Sequence, residues 1–167
     1  MNRLFDDRAD EVIYYEERLS NALQKRQRPD RIYGLRADNN RLERLLSESR
    51  DRDDRLLGDR IVSCPFSSGS EELHFPFLVL EAKSEKASDS SSAIEAQSAF
   101  AIRALLILQH KLKQEAEQEC QCGFAPLVWF LSNKGEDWRI AAAYAGQDRY
   151  GEFYVSPSAN SEWSKVP

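Results

Sequence analysis

The stretch Phe75-Pro76-Phe77-Leu78-Val79-Leu80-Glu81-Ala82-Lys83 limits what this chain can fold into more than any other. Apolar, largely branched side chains follow Pro76 without a break, the pattern of a short strand covered on both faces. A covered strand is expected to leave the core through a turn or a polar loop. This one runs instead into a carboxylate and an ammonium two positions apart. Residues i and i+2 of a strand point to the same side, so Glu81 and Lys83 share a face and Ala82 points away. Either charge at the end of a buried strand is costly unless it is paired or bound. A carboxylate able to hold a divalent cation, beside an ammonium able to touch a phosphate or a nucleophilic water, accounts for both.

The flanking sequence supplies elements for such a strand to pack against. Residues 9–25 repeat at helical spacing, with Val12, Tyr15, Leu19, Ala22 and Leu23 on one stripe. Asp10 and Glu11 in its first turn and Lys25 and Arg26 at its end suit the helix dipole. Glu11 and Glu16 border the apolar stripe, where a carboxylate can reach a site between helix and sheet. Pro29 ends this helix, and Ile32-Tyr33-Gly34-Leu35 can enter a sheet. Residues 36–60 are dense in charge with sparse leucines. They read as a solvated insertion, with a marginal amphipathic helix around Leu42, Leu45 and Leu46.

An edge strand is expected at Ile61-Val62. Downstream of Lys83, Ser92-Ala93-Ile94-Glu95 has the capping-box pattern and opens the strongest helix, running to about Gln118. Ile94, Ala101, Leu105, Leu108 and Leu112 form its buried stripe, and Gln97 falls on the same stripe. Residues 126–132 and 138–144 then read as a hairpin, followed by a short strand at 153–155 and a frayed tail.

At 167 residues the chain suits one domain, placed at 1–155 with the charged insertion at about 36–60 and a flexible tail at 156–167. A net charge of −5 means that any contact with nucleic acid comes from a local patch. No apolar run approaches the roughly 18 residues of a membrane span, and the N-terminus lacks a signal-peptide core, so the expectation is an intracellular protein. The 3 cysteines are odd in number, against a disulfide framework, and their spacing with the histidines matches no zinc pattern. No glycine-rich phosphate loop and no Ser-His-Asp set is present.

The order of helix, strands, acid-tipped strand, long helix and closing strands outlines an α/β core with a central mixed sheet flanked by helices. Pro29-Asp30 followed by Glu81-Ala82-Lys83 resembles the PD-(D/E)xK signature. The longer phrases RPDRIYGL, FPFLVLEAKSEK and PLVWF, with the helix over 94–112, are similar to fungal proteins of the PD-(D/E)xK nuclease-like family.

The resemblance implies a restriction-endonuclease-like core and a metal-dependent phosphodiesterase acting on DNA or RNA. By the same resemblance, Asp30 and Glu81 would hold Mg²⁺, or Mn²⁺ in its place, with the Ala82 carbonyl as a further ligand. Lys83 would position the attacking water or stabilise developing charge. Glu16, or Glu11, would complete the metal shell, and Gln97 would orient the site. Asp38 and Asp59 are other upstream acids that could stand in for Asp30. The alternative function is a nuclease-like domain that binds nucleic acid or protein without cutting.

Overall fold

The computed structural model describes residues 5–8, 29–36, 40–51, 53–60, 73–88, 90–119, 125–145, 153–157 and 164–166. They form a mixed α/β structure. In chain order the elements are β1 (Phe5–Arg8), β2 (Arg31–Arg36), α1 (Asn40–Glu48), α2 (Leu57–Arg60), β3 (Leu73–Lys83), α3 (Ser91–Glu119), β4 (Leu127–Lys134), β5 (Asp137–Ala145), β6 (Phe153–Pro157) and β7 (Ser164–Val166). The strands follow one another in sequence order across a single sheet. Its centre is the four-strand set β2-β3-β4-β5, in which β3 and β4 run parallel and their outer neighbours antiparallel.

A parallel pair cannot be joined by a tight turn and needs a long crossover, which α3 supplies. Ser90 starts that helix: its hydroxyl accepts the Ala93 N–H at 3.2 Å and its carbonyl accepts the Ile94 N–H at 3.1 Å. The cap is therefore Ser90, two residues before the expected Ser92. Ile94, Ala101, Leu105 and Leu108 of α3 are buried, as are Ile32, Val79, Val128, Phe130, Ala141 and Ala143 of the sheet. Burying a side chain of the Leu or Phe class is worth about 1.5–3 kcal/mol, so this interface is the main apolar contribution to the fold.

The opposite face of the sheet differs from expectation. Leu78 and Leu80 are half-buried, and Leu127, Trp129, Trp138 and Ile140 are 37–60% exposed. Alternation along the strands separates the two faces: Val128 and Phe130 are buried while Leu127 and Trp129 are not. The central strand is thus covered fully on one side only.

Pro76 interrupts β3. A proline cannot donate to a ladder and is confined to edges and bulges in sheets, and the β2–β3 register shifts between Tyr33 and Leu35. Phe75 takes a positive φ of 46° there. Gly34 lies so close that a Cβ on it would stand 2.8 Å from the His74 carbonyl oxygen and 3.0 Å from the Pro76 Cα. From the helix, the Gln109 amide repairs the gap. Its Nε2 donates to the Pro76 carbonyl at 3.3 Å and its Oε1 accepts the Leu127 N–H at 2.7 Å.

The charged insertion contains the expected amphipathic helix as α1, with Leu45 51% exposed. The turn after it is built on Asp51, whose Oδ1 accepts the N–H groups of Asp53 and Arg55. At the end of the chain, read as a frayed tail, Ser164–Val166 pairs with β6. The helix read over 9–25 and the edge strand at Ile61-Val62 lie outside the described residues. No helix among the described residues is long and apolar enough to cross a membrane.

Candidate functional site at the tip of the central strand

β3 outruns its neighbour. The first residue of β2, Arg31, pairs with Leu80, leaving Glu81, Ala82 and Lys83 beyond the end of β2. Successive residues of a strand turn their backbone polar groups to alternate neighbours. Leu80 faces β2, so Ala82 turns both its N–H and its C=O to that side, where the strand has stopped. Asp30, one residue before β2, fills the position: its Oδ2 accepts the Ala82 N–H at 2.6 Å. In return the Asp30 N–H donates to Glu81 Oε2 at 3.3 Å. The reciprocal bonds bring two acids 51 residues apart in sequence to one strand tip.

Lys83 shares the Glu81 face, as the two-residue spacing requires. Its Nζ stands 2.7 Å from Glu81 Oε1, with side chains 24% and 6% exposed respectively. Hydrogen bonds to a charged group contribute roughly 1.5–3 kcal/mol each. Such bonds offset the desolvation of a nearly buried carboxylate, which would otherwise be severe.

The parallel partner strand completes the surroundings. Register places Ser132 beside Glu81, Asn133 beside Ala82 and Lys134 beside Lys83. Ser132 is buried. The Gly135 N–H donates to the Lys83 carbonyl at 3.1 Å, tying the β4–β5 turn to the end of β3.

The structure therefore brings together Asp30, Glu81, Ala82 and Lys83. Gln97 does not join the buried stripe: it is exposed, and the adjacent Ser98 is the buried residue, at 1% exposure. The buried stripe passes through Ile94, Ser98 and Ala101, which leaves Gln97 at its edge and turned to solvent. Asp59 lies exposed on α2; among the described residues the upstream acid bonded to the Glu81 strand is Asp30. Glu16, Glu11 and Asp38 lie outside the described residues.

The donor chemistry suits a hard cation: two carboxylates and a backbone carbonyl are oxygen ligands of the kind Mg²⁺ takes. Among the described residues no group of three or more His, Cys, Asp or Glu side chains is placed to hold a metal. Mg²⁺ does not require one, because it commonly keeps several waters and binds through one or two carboxylates.

Ser98, Ser132 and Gln109 were not singled out from the sequence as partners of the site or the sheet. Each looks like an ordinary polar residue until the parallel register and the helix crossover set it opposite the strand. Compared with known proteins, the chain matches no family model, no curated protein and no solved structure.

Proposed function

We propose that the chain is a divalent-metal-dependent phosphodiesterase of the PD-(D/E)xK type, cutting DNA or RNA on a restriction-endonuclease-like core. One observation carries the reading: Asp30 is bonded to both Glu81 and Ala82, so that two acids from distant parts of the chain meet beside Lys83. Asp30, Glu81 and the Ala82 carbonyl would hold Mg²⁺ or Mn²⁺, which when bound lowers the pKa of a water and stabilises charge on the phosphoryl oxygens.

The chain's own residues have separable tasks in this reading. Glu81 and Asp30 supply negative charge that is fixed in place by backbone N–H groups. The β4 ladder, which continues to Lys83, and the Gly135–Lys83 bond hold the strand tip. The Lys83 ammonium, held at hydrogen-bonding distance from Glu81, is the cation beside a bound phosphate oxygen or attacking water.

The test is cleavage of plasmid and single-stranded oligonucleotides with Mg²⁺ or Mn²⁺. Loss of cleavage in Glu81→Ala and in Lys83→Ala supports the reading, and equal activity in both variants rejects it.

A second reading is favoured by the closeness of the Glu81–Lys83 pair. Both Glu81 oxygens are engaged within the protein, the arrangement expected if the site has become structural and the domain binds nucleic acid or protein without cutting. Salt-sensitive oligonucleotide binding with no cleavage under either metal would favour it over hydrolysis.

A further inference from the structure

Ser98 carries a hydroxyl that the resting fold does not use. The residue is 1% exposed, and its Oγ, sealed from solvent, has no hydrogen-bond partner. Buried polar atoms are satisfied in the large majority of cases, and an orphan calls for a reason.

Its position suggests one. Gln109 touches Pro76 of β3 and Leu127 of β4, which fixes the level of that helix turn against both strands. Ser98 precedes Gln109 by eleven residues, about three turns, and so faces the same sheet at roughly 16 Å along the axis. α3 runs opposite to the two parallel strands, and that distance is about five strand residues. Five residues on from Pro76 is Glu81, and five on from Leu127 is Ser132. By this count the unused hydroxyl comes level with the buried carboxylate.

We propose that Ser98 is a positioning residue that takes over from Lys83 as hydrogen-bond donor to Glu81 when Lys83 turns to an anionic group. The inference rests on the proposed role of the Glu81–Lys83 site. Glu81 Oε1 is paired with the Lys83 ammonium. If Lys83 turns toward a phosphate oxygen or a water, that oxygen loses this donor in a site 5% exposed. Glu81 Oε2 keeps the Asp30 N–H, but a buried carboxylate oxygen left without a donor before a cation is bound is unfavourable, and the loss would hold Lys83 back. A serine hydroxyl is a rotor that can donate in whichever direction an acceptor lies. With Ser98 standing by, Lys83 is free to move without stranding the charge.

The test is a double-mutant cycle read by melting temperature, which needs no catalytic activity. Ser98→Ala in the wild-type background should leave the melting temperature unchanged or raise it, because an unpaired polar atom is removed. In a Lys83→Met background, where Glu81 already lacks its ammonium, Ser98→Ala should lower it by roughly 2–4 °C. Lys83→Gln replaces Lys83→Met if the latter does not fold. A shift no more destabilising in the Lys83 variant than in the wild type overturns the proposal.

A cleavage assay then separates the two readings. Ser98→Ala should lower kcat about tenfold, the size of one hydrogen bond, while Ser98→Thr retains activity. A wild-type protein that does not cut defeats the hydrolase reading and leaves the melting cycle to decide the role of Ser98.

Discussion

The Asp30 carboxylate takes the place of a β-strand: its Oδ2 accepts the Ala82 N–H at 2.6 Å, where β2 has already ended. In the same contact the Asp30 N–H reaches Glu81 Oε2. One residue thus caps the ladder and delivers a second negative charge to the strand tip. The two roles can be separated by mutation. Asp30→Asn keeps an amide oxygen for the Ala82 N–H but loses the charge. Stability should change by less than about 1 kcal/mol, and cleavage should fall at least ~100-fold, the upper end of what a lost metal-supporting group costs. Chemical denaturation and a cleavage assay on the same preparation check both.

The Glu81–Lys83 pair should behave as a unit. Lys83→Met alone leaves a nearly buried carboxylate without its ammonium and should cost about 1–3 kcal/mol. Glu81→Gln with Lys83→Met removes both charges and should be less destabilised than the sum of the single variants. Urea unfolding of the four proteins measures that coupling.

Gln109 holds the sheet together where Pro76 breaks it. Gln109→Leu leaves the Pro76 carbonyl and the Leu127 N–H without this partner, at a cost of about 1–3 kcal/mol, or several degrees in melting temperature. Hydrogen exchange should show the Leu127 amide losing protection. Because Gln109 lies some five strand residues from Glu81, cleavage by the folded variant should be unchanged.

Two glycines are tied to the close approaches. At Gly34 an added Cβ meets the backbone of His74 and Pro76, which cannot swing aside, so Gly34→Ala should destabilise by about 1–3 kcal/mol. Gly135 has a φ of +62°, and its added Cβ would stand 2.9 Å from the Glu85 Cβ. Gly135→Ala should cost roughly 1–2 kcal/mol from the left-handed backbone. Thermal melts of both variants test these values.

The central strand, the long helix and the β4–β5 hairpin are legible in the sequence, whereas the nearness of Asp30 to Glu81 is implied only by the family resemblance. Each of the three elements is written in local terms: an apolar run ended by charges, a 3.6-residue repeat, and two runs separated by a turn containing Gly135. The two-residue alternation placed Glu81 and Lys83 on one face correctly. What stayed hidden depends on partners distant in the chain. The half-exposed outer face of β3 is set by which layers cover the sheet, and nothing within residues 75–83 reports that. Periodicity admits Gln97 to the buried stripe, yet the stripe runs through Ile94, Ser98, Ala101 and Leu105, and Gln97, one position off it, is turned to solvent. Ser90 displaces Ser92 as the cap because serines at 90, 91 and 92 in succession offer the same local chemistry. Ser98, Ser132 and Gln109 acquire meaning only from the parallel β3–β4 register and the antiparallel run of α3 above it.

Calorimetric titration with Mn²⁺ and Mg²⁺ tests the central claim most directly, that Asp30 and Glu81 jointly hold a divalent cation. The wild-type protein should show saturable binding that Asp30→Asn and Glu81→Gln each abolish while both variants remain folded. Wild-type protein that takes up neither ion, or binding that survives both substitutions, would contradict it.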